Sequence, residues 1–168
     1  EQVVQDVMAS AFDSAGQRCS ALRVLCVQDE VAERVIAMLK GAMDEARIGH
    51  PAALSTDIGP VIDAEAQAGI QRHIDTLRAQ GHAVHQATRG LAEAGEHGSF
   101  IPPTLIAIER FDQLQREVFG PVLHLLRWRR ADLDALIEQI NASGYGLTGG
   151  VHSRIDETIE RVAGRLAA

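Results

Sequence analysis

Short apolar runs alternate along this chain with longer segments of helical periodicity, and this alternation limits the folds open to it. Between residues 3 and 12, apolar side chains recur every three or four positions, the spacing of one buried helix face. Residues 22–27 are mostly apolar and include two valines, which favours a strand. Because strands that alternate with helices usually pair in parallel, the sequence predicts an α/β fold with a mainly parallel sheet flanked by helices. Residues 22–27 are expected to be buried on both faces of that sheet.

The alternation continues to the end of the chain. Asp29 and Asp63 are expected to cap the helices that follow them, because an aspartate side chain accepts hydrogen bonds from the free N–H groups of a first turn. The predicted later helices are residues 30–47, 64–79, 133–140 and 155–166. The predicted later strands are residues 82–85, 100–108, 122–128 and 147–152, and two prolines confine the start of 100–108 to a strand end or sheet edge. Residues 90–99, with three glycines, are expected to form an exposed, disordered loop or hairpin tip.

Length, charge and cysteine content narrow the class of protein. A chain of 168 residues is long enough for one domain with a single substantial core. Its formal charge of −7 argues against nucleic-acid binding, which needs a basic face. Two cysteines are too few for a disulfide framework, which predicts reduced thiols and a cytoplasmic location. No apolar run reaches the length of about 20 residues that spans a bilayer, so this segment is not expected to enter a membrane.

The histidines and glycines do not predict a metal or phosphate site. Seven histidines are scattered along the chain, and only His82 and His85 are close in sequence; both are expected to face solvent on a short polar strand. The glycine pattern of residues 144–149 matches a dinucleotide fingerprint in its letters. A helix is predicted before it and a strand after it, the reverse of the order that the fingerprint requires. These glycines are therefore expected to close a helix and begin a strand.

Residues 16–20 (GQRCS) put Cys19 on a predicted turn between the first helix and the first strand. A thiol in such a position can act as a nucleophile, since nearby backbone N–H groups can stabilise the oxyanion that it creates. Gly16 would supply the turn, and Arg18 is a candidate positive neighbour. The alternative is that Cys19 is a small buried apolar residue, a common environment for cysteine. For Cys26, inside the predicted strand, a core position is predicted.

Two stretches resemble motifs of the aldehyde dehydrogenase superfamily. Residues 12–27 (FDSAGQRCSALRVLCV) resemble its nucleophile segment, a Gly-Gln-x-Cys turn that leads into a strand, and residues 117–121 (EVFGP) resemble its Glu-x-Phe-Gly-Pro motif. The two stretches stand about a hundred residues apart, in the family's order. The serine directly after the cysteine is most similar to pyrroline-5-carboxylate (glutamate semialdehyde) dehydrogenases, especially the dehydrogenase part of bacterial bifunctional proline utilization A proteins. The resemblance extends along nearly the whole chain.

The resemblance implies that residues 1–168 are a partial aldehyde dehydrogenase catalytic domain, without the nucleotide-binding domain, from a longer protein. It implies that Cys19 is the nucleophile in the NAD-dependent oxidation of L-glutamate 5-semialdehyde to L-glutamate, a step of proline catabolism. It also implies that Glu117 binds the nicotinamide ribose hydroxyls, that Phe119 packs near the nicotinamide ring, and that Ser20 binds the substrate carboxylate. The family's general base and oxyanion asparagine lie upstream of its nucleophile segment, so no residue of this chain is assigned to either role.

Further expectations concern the longer protein. It is expected to be a bacterial, cytoplasmic homo-oligomer, and a separate proline dehydrogenase domain that carries FAD is compatible with the resemblance. The isolated chain is expected to be inactive or nearly so. Two alternatives stay open: an aldehyde dehydrogenase of another substrate branch, and a non-catalytic α/β module that serves assembly and keeps Cys19 inert.

Overall fold

Four strands form one sheet in the computed structural model, which describes residues 1–94 and 98–167. The strands are β1 (Val24–Gln28), β2 (Val84–Gln86), β3 (Thr104–Ile108) and β4 (Val122–Trp128), in the order β1-β4-β3-β2. β4 pairs in parallel with both β1 and β3, whereas β2 pairs antiparallel with β3. The prediction of an α/β fold with a mainly parallel sheet is confirmed.

The helices of the described ranges are α1 (Gln2–Phe12), α2 (Asp29–Glu45), α3 (Ala64–Ala79), α4 (Leu91–Ala94), α5 (Leu133–Ala142) and α6 (Asp156–Ala163). Asp63 caps α3 as predicted, since its Oδ1 accepts a hydrogen bond from the Ala66 N–H at 2.7 Å. The predicted cap at Asp29 is wrong: α2 begins at Asp29 itself, and its Oδ1 instead accepts from Nε of Arg127 at 3.0 Å. Among the helices described, none combines the length and the apolar character that a bilayer crossing requires.

The main core is one apolar cluster that joins α1, α2 and α3 to the sheet. β4 runs through its centre, and residues 122–126 of that strand are all buried. β1 lies at the edge of the sheet, with a hydrogen-bonded neighbour on one side, and only Val27 among its residues is fully buried. The prediction that residues 22–27 are buried on both faces is therefore wrong, and β4 is the strand with that pattern.

Other differences from prediction occur where the chain is rich in glycine. Residues 147–152 were expected to be a strand, but they pair with no strand of the described chain and are mostly exposed. Two glycines in this run offer no side chain to pack on a neighbouring strand. Leu91–Ala94 form a helical turn where a loop was expected, and residues 95–97 of that predicted loop lie outside the described residues. The two prolines of residues 100–108 precede β3, as expected at a strand start.

The parallel pairing of β1 with β4 brings two distant loops together. Val24 lies opposite His124, so the amino ends of both strands lie at the same end of the sheet. The segment before β1 carries Cys19, and the segment before β4 carries Glu117. Binding crevices of open α/β sheets usually form at the carboxyl ends of the strands. Here the two motifs instead meet at the amino ends.

Candidate active site

Cys19 lies exposed on the loop between α1 and β1. The chain leaves α1 through a left-handed turn in which φ is 56° at Ser14, 52° at Ala15 and 64° at Gly16. For a residue other than glycine this conformation costs roughly 1 to 2 kcal/mol, so it persists only where surrounding contacts enforce it. The predicted turn at Gly16 is confirmed, and the exposure of Cys19 contradicts the alternative that it is a small buried residue.

Gly16 is in direct contact with the second motif. A Cβ atom added at Gly16 would lie 2.1 Å from the carbonyl oxygen of Gly120 and 2.8 Å from that of Ala11. Gly120 in turn packs on α3, where an added Cβ would lie 2.5 Å from Cδ1 of Ile70. The loop that carries Cys19 and the segment before β4 therefore approach each other to backbone distance, which explains the glycine in each motif.

The side chains of the two residues before Cys19 bind the loop to other parts of the fold. Oε1 of Gln17 accepts a hydrogen bond from the Ile62 N–H at 2.8 Å. Nη2 of Arg18 donates to the carbonyl oxygen of Ala9 at 3.0 Å, so this guanidinium is engaged by α1. Cys19 thus follows a segment that is anchored to two other parts of the fold, which suits a nucleophile better than a loose tip does.

Arg23 joins the two motifs through its side chain. Its Nε donates to Oε1 of Glu117 at 3.0 Å, and its Nη1 donates to the carbonyl oxygen of Gly16 at 2.6 Å. Its Nη2 donates to the carbonyl oxygen of Arg18 at 2.9 Å. The Arg23 side chain is only 15% exposed. Arg23 lies inside residues 12–27, but the resemblance of that stretch gave it no role; the available signal was a lone cation inside the mostly apolar residues 22–27.

Glu117 and Phe119 lie beside Arg23 on a partly exposed surface. The Glu117 side chain is 26% exposed, and the Glu117 N–H donates to the hydroxyl of Tyr145 at 3.0 Å. Phe119 is 46% exposed, and Cζ of Arg23 lies 4.7 Å from its ring centroid, within the range of a cation–π contact. Arg23 takes one oxygen of the carboxylate, but a carboxylate has about four acceptor positions and can accept further donors. This surface therefore offers an acceptor next to an apolar ring.

Ser20 and Cys26 have different environments. Ser20 follows Cys19 directly and is exposed. Cys26 lies in β1 and, partly buried, packs against a second, smaller apolar cluster, so its predicted core position is confirmed in part. Burial raises the pKa of Cys26 to about 12, so this thiol stays protonated at neutral pH and is a poor nucleophile. Of the two cysteines, Cys19 is the exposed one.

A pair of histidines, His73 and His124, adjoins the backbone of Arg23. His124 of β4 is 3% exposed, its Nδ1 lies 3.0 Å from the carbonyl oxygen of Arg23, and its Nε2 lies 2.8 Å from Nε2 of His73. Because a carbonyl oxygen only accepts, Nδ1 of His124 carries the hydrogen. Burial lowers the pKa of His124 to about 4, so the ring is neutral at physiological pH. The pair therefore supports the backbone of Arg23 without adding charge.

His82 and His85 do not face solvent as predicted. Both are half-buried: Nδ1 of His82 donates to the carbonyl oxygen of Ala107 at 2.9 Å, and Nε2 of His85 lies 2.9 Å from Oδ1 of Asp44. The prediction was wrong because β3 and α2 lie close enough to give each ring a partner. Within residues 1–94 and 98–167, no three potential metal-binding side chains of His, Cys, Asp or Glu come together.

Two surface clefts lie at the opposite end of the sheet, where the strands finish. One, of about 190 Å³, is lined by residues that include Asp29 and Trp128, and the other, of about 430 Å³, by residues that include Gly81 and Ile108. These residues surround the carboxyl ends of β1, β3 and β4 and do not include Cys19, Ser20, Glu117 or Phe119. The candidate site is therefore an open surface of the described chain, separate from both clefts.

The chain is similar to several known proteins in sequence and in fold. The chain is 64% identical over 167 residues to the bifunctional protein PutA of Klebsiella aerogenes, and the match covers 98% of this chain and 13% of that protein. It is 33% identical to the 1-pyrroline-5-carboxylate dehydrogenase of Geobacillus kaustophilus, over 96% of this chain and 30% of that protein. A crystal structure of a bifunctional proline utilization A (PutA) protein superposes with a TM-score of 0.91 at 44% identity, over 98% of this chain and 16% of that one.

The similarity extends over the whole chain but over a small part of each relative. The predicted resemblance to proline utilization A proteins and to pyrroline-5-carboxylate dehydrogenases is confirmed. The sequence profile of the Aldehyde dehydrogenase family matches residues 1–168, so the chain belongs to the aldehyde dehydrogenase family.

Proposed function

We propose that this chain is the nucleophile-bearing part of the catalytic domain of a longer dehydrogenase, which oxidises L-glutamate 5-semialdehyde to L-glutamate with NAD in proline catabolism. The observation that carries the proposal is the backbone contact of the Cys19 loop with the segment of Glu117, through Gly16 and Gly120. The 64% identity to a bifunctional PutA protein supports the choice of substrate. The nucleotide-binding domain, and any proline dehydrogenase domain with FAD, would be other parts of the longer protein.

In this proposal the thiolate of Cys19, whose proton passes to a base in another part of the longer protein, attacks the aldehyde carbon of the substrate. The sulfur–carbon bond forms as the electron pair of the C=O double bond moves to oxygen, which gives a thiohemiacetal anion. The backbone N–H of Cys19 donates to that oxygen. NAD, when bound, supplies the acceptor for the hydride that leaves the same carbon. Water then hydrolyses the thioester on Cys19, which restores the thiol and releases the carboxylate product.

The groups around Glu117 suit the nicotinamide ribose of NAD. A carboxylate that shares one oxygen with Arg23 still has positions for both ribose hydroxyls. The exposed ring of Phe119 offers an apolar surface for the nicotinamide. The ion pair with Arg23 holds the carboxylate in one orientation before any ligand arrives, which lowers the entropy cost of binding.

Ser20 is proposed to donate a hydrogen bond to the carboxylate of the substrate. It is exposed and directly follows Cys19, and a hydroxyl can donate to an anion. The general base and the second oxyanion donor are assigned to other parts of the longer protein, so the chain by itself is expected to have almost no dehydrogenase activity. We propose that the longer protein is a homo-oligomer of the bacterial cytoplasm, where thiols stay reduced.

The test is NADH formation by the full-length protein with glutamate semialdehyde as substrate. Wild type should be active, Cys19→Ala should lose the activity, and the control Cys26→Ala should keep it. Cys19-dependent activity with aliphatic aldehydes, but none with glutamate semialdehyde, would assign the chain to another substrate branch. No Cys19-dependent activity with any aldehyde would favour a non-catalytic α/β module.

A further inference from the structure

We propose that Arg23 is a positioning residue that orients and polarises the backbone N–H of Cys19. The consequence for dehydrogenase catalysis rests on the proposed function, in which this N–H donates to the substrate oxyanion. The orienting role itself depends only on the contacts of Arg23.

The link between the two residues is the peptide group that joins Arg18 to Cys19. Nη2 of Arg23 donates to the carbonyl oxygen of Arg18 at 2.9 Å, and the same peptide group carries the Cys19 N–H. In a trans peptide the C=O and N–H bonds lie in one plane and point in opposite directions. No cis peptide occurs in the part of the chain that the structure describes. By holding the carbonyl, Arg23 therefore sets the direction in which the Cys19 N–H points.

The positive charge of Arg23 also strengthens that N–H as a donor. A cation on the carbonyl polarises the peptide group, and linked hydrogen bonds reinforce one another by roughly 10 to 30% each. The Arg18 oxygen accepts a second hydrogen bond, from the Ala21 N–H at 3.1 Å. Since a carbonyl oxygen has two lone pairs, the peptide plane is held from two directions.

Arg23 is itself fixed at both ends. Its backbone carbonyl accepts from the His124 N–H at 2.9 Å and also bonds the ring of that histidine. Its guanidinium is engaged by Glu117 and Gly16 in addition to Arg18. The Arg23 side chain is 15% exposed, and its bonds to Glu117 and Gly16 are partly buried, whereas its bond to the Arg18 carbonyl lies at the surface. An arginine on a solvated surface could not fix a peptide plane in this way, because its rotamers exchange freely.

The experiment compares two reactions of Cys19 in the full-length protein without NAD. Acylation by p-nitrophenyl acetate forms a bond from sulfur to the acyl carbon through an oxyanion and expels p-nitrophenolate. Alkylation by iodoacetamide displaces iodide from a saturated carbon and creates no oxyanion. An oriented Cys19 N–H should therefore assist the first reaction and not the second, and Cys19→Ala gives the background for both.

Arg23→Gln is expected to slow acylation about 10- to 100-fold, since loss of a whole oxyanion donor costs about 100- to 1000-fold. Its alkylation rate should stay within about threefold of wild type. Arg23→Lys should be intermediate, because an ammonium group keeps the charge but not the planar fork. The control Arg127→Gln removes an arginine that pairs with Asp29 and Glu33, at the carboxyl end of β4, and should leave both rates unchanged.

An equal fall in both rates, or no fall in either, would overturn the proposal. If circular dichroism shows that Arg23→Gln does not fold, the same comparison is made with Arg23→Lys, for which a selective loss of acylation is required. NADH formation from glutamate semialdehyde is measured separately. If wild type lacks that activity while the Arg23 variants still lose acylation selectively, the proposed function fails and the role of Arg23 stands.

Discussion

Replacing Gly16 with alanine tests how firmly the loop that carries Cys19 is held against the segment before β4. At the φ of 64° found at Gly16, a Cβ atom costs roughly 1 to 2 kcal/mol. The same atom would lie 2.1 Å from the carbonyl oxygen of Gly120, whereas ordinary contacts begin near 3.4 Å. Because the opposing atom belongs to the backbone, no change of rotamer can relieve the overlap. The loop must move away from Gly120 by about 1 Å.

That movement also strains the bond from Arg23 to the Gly16 carbonyl, which is 2.6 Å long. A hydrogen bond of this kind contributes roughly 0.5 to 1.5 kcal/mol. Together with the backbone strain, Gly16→Ala should lower the free energy of unfolding by about 1.5 to 3.5 kcal/mol. The assay is urea unfolding of the chain followed by the fluorescence of Trp128, its only tryptophan. The rate at which iodoacetamide alkylates Cys19 should change in the same variant, since Cys19 lies on the displaced loop.

Gly41→Ala is the matched control for this substitution. Gly41 is exposed in α2, and an added Cβ would have no other heavy atom within 4 Å. Alanine is favoured over glycine inside a helix by roughly 1 kcal/mol, so this variant should be more stable than wild type. The same substitution is thus expected to destabilise the protein at Gly16 and to stabilise it at Gly41. A Gly16→Ala protein within about 0.5 kcal/mol of wild type, with an unchanged alkylation rate, would refute the close-contact argument.

Three further predictions concern titration, thiol reactivity and helix capping. Burial lowers the pKa of His124 from 6.5 to about 4, so the unfolded chain binds more protons between these values and stability should fall by up to about 3 kcal/mol as the pH drops through that window. His124→Asn should flatten this part of the pH profile of urea midpoints, and an unchanged slope would contradict the burial argument. At about pH 8, iodoacetamide should modify Cys19 in the folded chain but spare Cys26, whose pKa is about 12, until urea is added; peptide mass spectrometry that finds equal labelling would disprove this. Asp63→Ala should lower the free energy of unfolding by about 1 kcal/mol in urea, because the Ala66 N–H loses its partner, and no measurable loss would mean that the cap does not stabilise α3.

Elements whose signal lies in their own residues were predicted well. α3 begins and ends where predicted, because its apolar spacing, the aspartate before it and the glycine after it all belong to one local segment. β4 has its predicted bounds for the same reason, since a short, mostly apolar run is sufficient to indicate a buried strand. Residues 147–152 were predicted wrongly, because a strand also needs a partner, and no local pattern shows whether one is available.

The burial of β1 was also predicted wrongly because it depends on which strands pair with it. Its composition favoured burial on both faces, but its place at the sheet edge leaves most of its residues half-buried. Strand order is set by which segments pair, and the composition of one strand carries no information about its neighbours. The predicted caps differ for a similar reason: Asp63 bonds the helix that follows it, whereas Asp29 is the first residue of α2 and bonds Arg127 of β4.

The sequence by itself determined the chemical groups of the candidate site, since Cys19, Ser20, Glu117 and Phe119 stand in two short motifs that can be recognised without a structure. It also determined that a turn precedes the cysteine, because glycine is the residue that suits a left-handed turn. Only the tertiary structure decided that the two motifs meet at the amino ends of β1 and β4, and that Arg23 holds them together. The physical reason is that Arg23 and Glu117 are 94 residues apart, and their contact exists only because parallel pairing brings the two strand starts to one edge of the sheet.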